Sequence, residues 1–279
     1  MTGKTKAPRI ALIGYGAIAD EVIRCLDDRG ELAALVGFMV RPGRIRQFEQ
    51  KSSGRFVIVD AVSALLDLQP DVIIEAAGHA AVSSFGADVL GHGVDLLVAS
   101  VGALADGALA AELVAAASPG TELWIASGAV AGIDGLLAAR TAGLRSVTYT
   151  SWKEPKAWSG TPAEQILGDT AGSQRVIFFR GSAREAAMQF PKNANVAATV
   201  AFASLGLDRT RVHLGSDPHV SGPLGVIEAE GDFGRFSFEI LALASPTNPK
   251  TSVLTGHSLV AAVRDGMGLR ALDILRAGQ

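Results

Sequence analysis

The sequence predicts an α/β protein in two domains: a parallel sheet covered by helices over residues 1–144, then an α+β domain with a mostly antiparallel sheet over 145–251. Three observations predict this. In the first half, short and almost continuously apolar runs alternate with Ala-rich helical segments, as strands covered on both faces require. A glycine turn separates the first apolar run from the first helical pattern. After about residue 145 the apolar runs lie closer together, and several alternate polar with apolar, the period of a half-covered strand. The change of rhythm puts the boundary near Gly143 to Arg145. Segment 252–279 is a candidate to return to the first domain.

The elements follow in order. RIALI at 9–13 is a buried strand, and Ala17 to Leu26 is helical. AALVGFMV at 33–40 is the second strand and Val57 to Val59 a weaker one. Asp60 is placed to cap a helix over Ala61 to Leu68. DVIIEA, DLLVAS and ELWIAS supply three more strands, at 71–76, 95–100 and 122–127. In the second half VTYTSW, RVIFFRGSA, TRVHLGS, GVIEAEG and RFSFEILALA are strands, interrupted by helices over Val196 to Ser204 and Ser252 to Arg264.

Composition excludes several functions. Of the 279 residues 48% are hydrophobic and 19% charged, enough to bury two cores and to exclude a disordered chain. The formal net charge of -3 and the pI of about 6.0 lack the basic footprint of a nucleic-acid binder. No run of about 18 apolar residues predicts a membrane helix. The opening MTGKTKAPR lacks the apolar core of a signal peptide, so a cytoplasmic location is expected. Cys25 stands alone, so no internal disulfide forms, and it reads as a small core residue. No HExxH, paired CxxC or carboxylate cluster predicts a metal site, and no GxSxG predicts a serine hydrolase.

The turn Gly14-Tyr15-Gly16-Ala17-Ile18-Ala19 carries the first chemistry. It follows a strand and opens a helix, the context of a dinucleotide-binding turn in a Rossmann-type sheet. The first glycine permits the turn, the second lets a pyrophosphate approach the backbone, and the small third residue lets helix and strand pack closely. Helix N–H groups then face the phosphates. Where the second strand ends, an acidic residue usually meets the ribose of NAD. This chain has Val40-Arg41-Pro42-Gly43-Arg44 there, and Arg41 suits the 2′-phosphate of NADP or the face of adenine. NADP is therefore favoured, with NAD also accepted. Ala77-Gly78-His79, Ser100-Val101-Gly102 and Ser127-Gly128-Ala129 end further strands on the same edge and leave room for the nicotinamide half.

Taken together, IGYGAIAD at 13–20, AAGHAAV at 76–82, SVGALADGAL at 100–109, SGAVAGIDGL at 127–136, GTPAE at 160–164, FPKNANVAAT at 190–199, LGLDRTRV at 205–212 and NPKTSVLTGHSL at 248–259 resemble the L-aspartate dehydrogenases over nearly the whole chain. The resemblance implies a Rossmann domain followed by a domain carrying the substrate site and a homodimer contact. It implies oxidation of L-aspartate with NAD(P) to iminosuccinate, then oxaloacetate and ammonia, or the reverse, on a path that also feeds NAD biosynthesis. Family cofactor contacts match Ala129 and Asn195.

One family position differs. The family's catalytic histidine lies in a pattern like DPxxxxNxHEI. Here Asp217-Pro218 and Ile227 fix the register, so Pro223, Gly225 and Val226 stand at the asparagine, histidine and glutamate positions. If that departure limits the reaction, Gly225→His should raise aspartate turnover. His219 is the nearest histidine, about 20 Å away if the intervening chain is extended. Oxidation of an amino acid needs a base, and a dicarboxylate needs cationic or N–H-rich pockets. Lys153, Lys156, Lys192, Lys250 and Arg264 are the cationic candidates in the second domain, and Lys250 precedes a helix that Thr251 or Ser252 could cap. His219 and Lys250 are thus the candidate catalytic residues. The alternatives are an NADP-dependent dehydrogenase or reductase for another imine or oxo acid, and a cofactor-binding protein with weak catalysis.

Overall fold

The computed structural model describes residues 7–168, 174–245 and 248–277. The chain forms two compact units. One runs to Gly128 and resumes at Thr255; the other spans Ala129 to Leu254.

The first unit begins with β1 (Ile10–Ile13), α1 (Ala17–Asp28), β2 (Leu35–Met39), α2 (Ile45–Ser52), β3 (Val57–Val59) and α3 (Val62–Leu66). It continues through β4 (Val72–Glu75), α4 (His79–Gly91), β5 (Asp95–Val98), α5 (Gly107–Ala116) and β6 (Leu123–Ala126). These strands lie parallel in the order β3-β2-β1-β4-β5-β6. The order reverses between β1 and β4, and the crevice beyond their carboxyl ends is where such sheets take ligands. Ile10, Ala11, Leu12, Ile73 and Ile74 have no exposed surface, which accounts for the continuously apolar strands.

The second unit carries α6 (Ile133–Thr141), β7 (Leu144–Lys153), α7 (Pro162–Leu167), β8 (Val176–Ser182), α8 (Ala183–Gln189) and α9 (Asn195–Ala203). It continues with β9 (Arg211–Ser216), β10 (Leu224–Gly231), β11 (Gly234–Leu241) and the short pair β12 (Ala244–Ser245) and β13 (Asn248–Ser252). Its sheet runs β11-β10-β7-β9-β8 and is antiparallel except where β7 meets β9. Tyr149, Ile227 and Phe238 share one face, matched across three strands. Trp158 has no exposed surface, donates its indole N–H to the Gly215 carbonyl at 3.2 Å, and meets Phe178 edge-on at 4.7 Å.

The chain then enters α10 (Val253–Asp265), β14 (Gly268–Arg270) and α11 (Ala271–Arg276). Leu259, Val260, Ala262 and Val263 of α10 pack into the core of the first unit with Val22 and Leu26. β14 pairs antiparallel with β6. Among the described residues no helix is long and apolar enough to cross a membrane.

Several local expectations change. Contacts divide the chain at Gly128, not near 143–145. The reason is α6: Gly132 and Gly135 lie against the Phe238 ring, and Arg140 donates to the Phe202 carbonyl at 3.3 Å. The strand read through Ala183 ends at Ser182, whose hydroxyl caps α8 in a capping box with Glu185. Asp60 does not cap α3; the cap position is Ala61, without a side-chain bond.

Candidate functional site

The glycine turn is built by two different demands. Gly14 has φ +104°, and a β-carbon there would stand 2.8 Å from the Ala76 carbonyl oxygen. Both facts exclude a side chain. Its N–H donates to the Met39 carbonyl at 2.8 Å, tying the turn to β2. Gly16 differs: a β-carbon on it would meet nothing within 4 Å, so this residue opens onto free space. It caps α1 with no side-chain bond, and Ala17 and Ile18 form the first turn. Ala19 has no exposed surface, the close helix–strand packing expected of the third small residue.

A cavity of about 430 Å³ adjoins this turn, lined by Gly14, Tyr15, Gly16, Arg41, Arg44, Asp60 and Ala77 among others. The Tyr15 ring stacks with Phe38 at 4.4 Å and with Phe48 at 5.1 Å, with Lys51 Nζ 4.5 Å over its centroid. Lys51 in turn bonds Asp20 at 2.6 Å. Burial pushes the Tyr15 phenol up, so this side chain is a neutral wall. Arg44 bonds Gln47. The carboxylate that lines this cavity is Asp60, which follows β3; the sequence singled it out only as a helix cap, because the expected position for an acidic residue is the end of β2.

The strand ends after β4 and β5 are organised by Glu75. Its side chain has no exposed surface. Oε1 accepts from the N–H groups of Ala77 and Gly78, both at 2.7 Å, and from the Ser100 hydroxyl at 3.0 Å. Oε2 accepts from the Ser100 N–H at 3.0 Å. The carboxyl is held above its ordinary value by burial, which these four bonds only partly offset. The N–H groups of Ala77, Gly78 and Ser100 are thus spent inside the protein. Only Ala77 of the three lines the cavity. The signal in the sequence is a lone charge closing the apolar run DVIIEA. At the end of β6, the Gly128 N–H donates to Ser258 Oγ at 3.0 Å.

The second unit holds the remaining candidates. Ala129 is its first residue. Asn195 begins α9; the cap position belongs to Ala194, so Asn195 is not the cap. Gly225 lies in β10 opposite Ser151 and Ile240. His219 sits in an exposed turn, its N–H donating to Asp217 Oδ1 at 2.9 Å, so the chain before Gly225 is not an extended strand. Lys250 falls in β13; its side chain lies outside the described residues. Ser252 Oγ accepts from the Leu254 N–H at 3.2 Å, capping α10 as expected. Lys153 stands 5.5 Å over the Trp158 ring, and Lys156 pairs with Glu154 at 3.0 Å. Arg264 leaves the set of second-domain cations: it belongs to the first unit and pairs with Glu31 at 2.9 Å.

Residues 14–124 match the sequence family described as homoserine dehydrogenase, NAD binding domain, and residues 134–266 match aspartate dehydrogenase, C-terminal. The L-aspartate dehydrogenase of Ruegeria pomeroyi is 44% identical over 259 residues, covering 92% of this chain and 91% of that protein. The chain belongs to the aspartate dehydrogenase family. The L-aspartate dehydrogenase of Acinetobacter baumannii (strain ATCC 17978) is 40% identical over 261 residues, or 93% of this chain and 97% of that one. Aspartate dehydrogenase from Thermotoga maritima shares the fold, with a TM-score of 0.66 at 20% identity over 93% of this chain and 97% of that chain. The two matched ranges take in the turn at Gly14 and the strand holding Gly225.

Proposed function

We propose that this member of the family is an NAD(P)-dependent dehydrogenase of L-aspartate, giving iminosuccinate and then oxaloacetate and ammonia, or running in reverse. The observation that carries this reading is 44% identity to an L-aspartate dehydrogenase across 92% of the chain. The cavity beside the glycine turn supports the cofactor half, because Gly16 leaves open the space that a pyrophosphate needs. The bound nicotinamide supplies a hydride acceptor or donor for the substrate α-carbon.

The chain's own residues do the holding. The N–H groups of Ala17 and Ile18, at the start of α1, receive the pyrophosphate. Arg41 and Arg44 share the cavity with Asp60. Two guanidinium groups against one carboxylate favour the 2′-phosphate of NADP, with NAD also accepted. Ala129 and Asn195 hold the nicotinamide end, as the family resemblance implies. Lys250, ahead of the capped helix α10, binds a substrate carboxylate. His219, in its exposed turn, is the base available from the strand connection before β10. A homodimer through the second sheet and a cytoplasmic setting belong to the same proposal. The dimer is what the family resemblance implies, and light scattering checks it.

A second reading, dehydrogenation or reduction of another imine or oxo acid, is favoured by one observation: Gly225 has no side chain where the family resemblance expects histidine. NAD(P)H formation with a panel of L- and D-amino acids, and NAD(P)H consumption with oxaloacetate and ammonia, separates the two. Turnover greatest with L-aspartate supports the first reading. NADPH binding with turnover only on another substrate overturns it in favour of the second.

A further inference from the structure

Glu75 terminates β4 directly opposite Ile13, the last residue of β1 before the glycine turn. It therefore stands at the point where the strand order reverses. A fully buried carboxylate is costly unless hydrogen-bonded, and a packing position beneath a loop does not require one. Its acceptor-only chemistry is what this position uses. Four donors converge on it, from Ala77 and Gly78 after β4 and from Ser100 after β5. A glutamine presents one acceptor oxygen and one NH₂ group, so at least one backbone N–H would face another donor.

The loop that Glu75 holds is also the surface on which the glycine turn closes. The β-carbon position of Gly14 lies 2.8 Å from the Ala76 oxygen and 3.1 Å from the Ala77 β-carbon. By drawing the N–H groups of Ala77 and Gly78 inward, Glu75 leaves the Ala77 methyl to line the cavity. A shift of this loop by a few tenths of an ångström would alter the turn and the cavity wall together.

We propose that Glu75 is a positioning residue for the dinucleotide, its carboxylate using the bonds to Ala77, Gly78 and Ser100 to fix the wall of Ala76 and Ala77 against which the Gly14 turn closes. This rests on the reading that the cavity at Gly14 holds NAD(P). Glu75 does not touch the cofactor; it acts through the two loops.

The test is fluorescence titration of the full chain with NADPH, for the wild type and Glu75→Gln, with circular dichroism as the check on folding and steady-state kinetics alongside. Loss of one or two charge-assisted hydrogen bonds predicts an NADPH Kd raised about tenfold or more. In the oxidative direction the KM for NADP+ rises in step, while the KM for the amino acid stays within about twofold. A purely structural role would lower the folded fraction and leave the two KM values of the folded enzyme in their original ratio. Ser100→Ala, which removes the hydroxyl donor and keeps the N–H, is the second variant should Glu75→Gln fail to fold; an NADPH Kd raised about threefold is expected. A folded variant with unchanged NADPH affinity overturns the role of Glu75 alone. A wild type that binds neither NADPH nor NADH overturns the cofactor reading itself.

Discussion

The phenol of Tyr149 lies across Gly225. In the sheet Gly225 faces Ser151, and Tyr149 faces Ile227, one step along the same face. The ring leans diagonally, so a β-carbon added to Gly225 would stand 3.2 Å from both Cε2 and Oη of Tyr149. The phenol is hydrogen-bonded to Ser151. The space above Gly225 is therefore occupied.

That changes the outcome expected of Gly225→His. Alone, the new side chain must displace a buried ring, which costs about 1–3 kcal/mol as overpacking. The single variant is expected to melt lower and to gain no aspartate turnover. Paired with Tyr149→Ala, which clears the space, the histidine should raise turnover above the Tyr149→Ala background. Thermal unfolding and NAD(P)H formation rates check this; a single variant as stable as the parent would show that the phenol yields freely.

Burial pushes the Tyr149 phenol up to about 12, with the Ser151 bond acting in the opposite sense. Because the proton is held more tightly in the folded state, this stability is fully present below about pH 10 and is lost as pH climbs towards 12, about 3 kcal/mol in all. The chain has two tyrosines, and Tyr15 is shifted the same way. Ultraviolet titration should therefore find the Tyr149 share of the tyrosinate signal missing from folded protein a little above pH 10 and released on unfolding. The full two-tyrosine signal developing around pH 10 without unfolding would refute the burial argument.

The two glycines of the turn should fail differently. Gly14→Ala forces a side chain at φ +104° against a backbone carbonyl and should cost at least about 2 kcal/mol of stability. Gly16→Ala meets open space and has φ -107°, so its melting temperature should barely change. Its β-carbon instead fills room meant for the pyrophosphate, and NADPH affinity should fall about tenfold or more. Calorimetry and ligand titration separate the two effects.

Arg41 and Asp60 should pull cofactor choice in opposite directions. Arg41→Ala is expected to weaken NADPH by about tenfold and NADH less, whereas Asp60→Asn should tighten NADPH. The difference should shrink at high salt, since the site is open to water. Equal losses for both cofactors in Arg41→Ala would mean the guanidinium stacks on adenine instead.

The first sheet was legible because its strands are apolar on both sides: Ile10 to Ile13 and Val72 to Ile74 announce themselves without any knowledge of partners. The turn at Gly14 was legible because its glycines answer to backbone geometry, a local demand. Asp60, Glu75 and Tyr149 were not. Each acquires its meaning from residues far away in sequence: Asp60 from Arg41 across two strand ends, Glu75 from Ser100, Tyr149 from Gly225. The boundary was misjudged for a related reason. The Ala-rich pattern of α6 continues that of the first half, and only Phe238, a hundred residues later, assigns it to the second unit.

The core of the first unit is completed by Leu259 to Val263, residues that leave the ribosome after the whole second unit has been made. A nascent chain ending at Gly128 carries six parallel strands but lacks the α10 side chains that share a core cluster with Val22 and Leu26, both fully buried in the finished protein. The second unit is therefore synthesised in full before the helix that completes the first core exists.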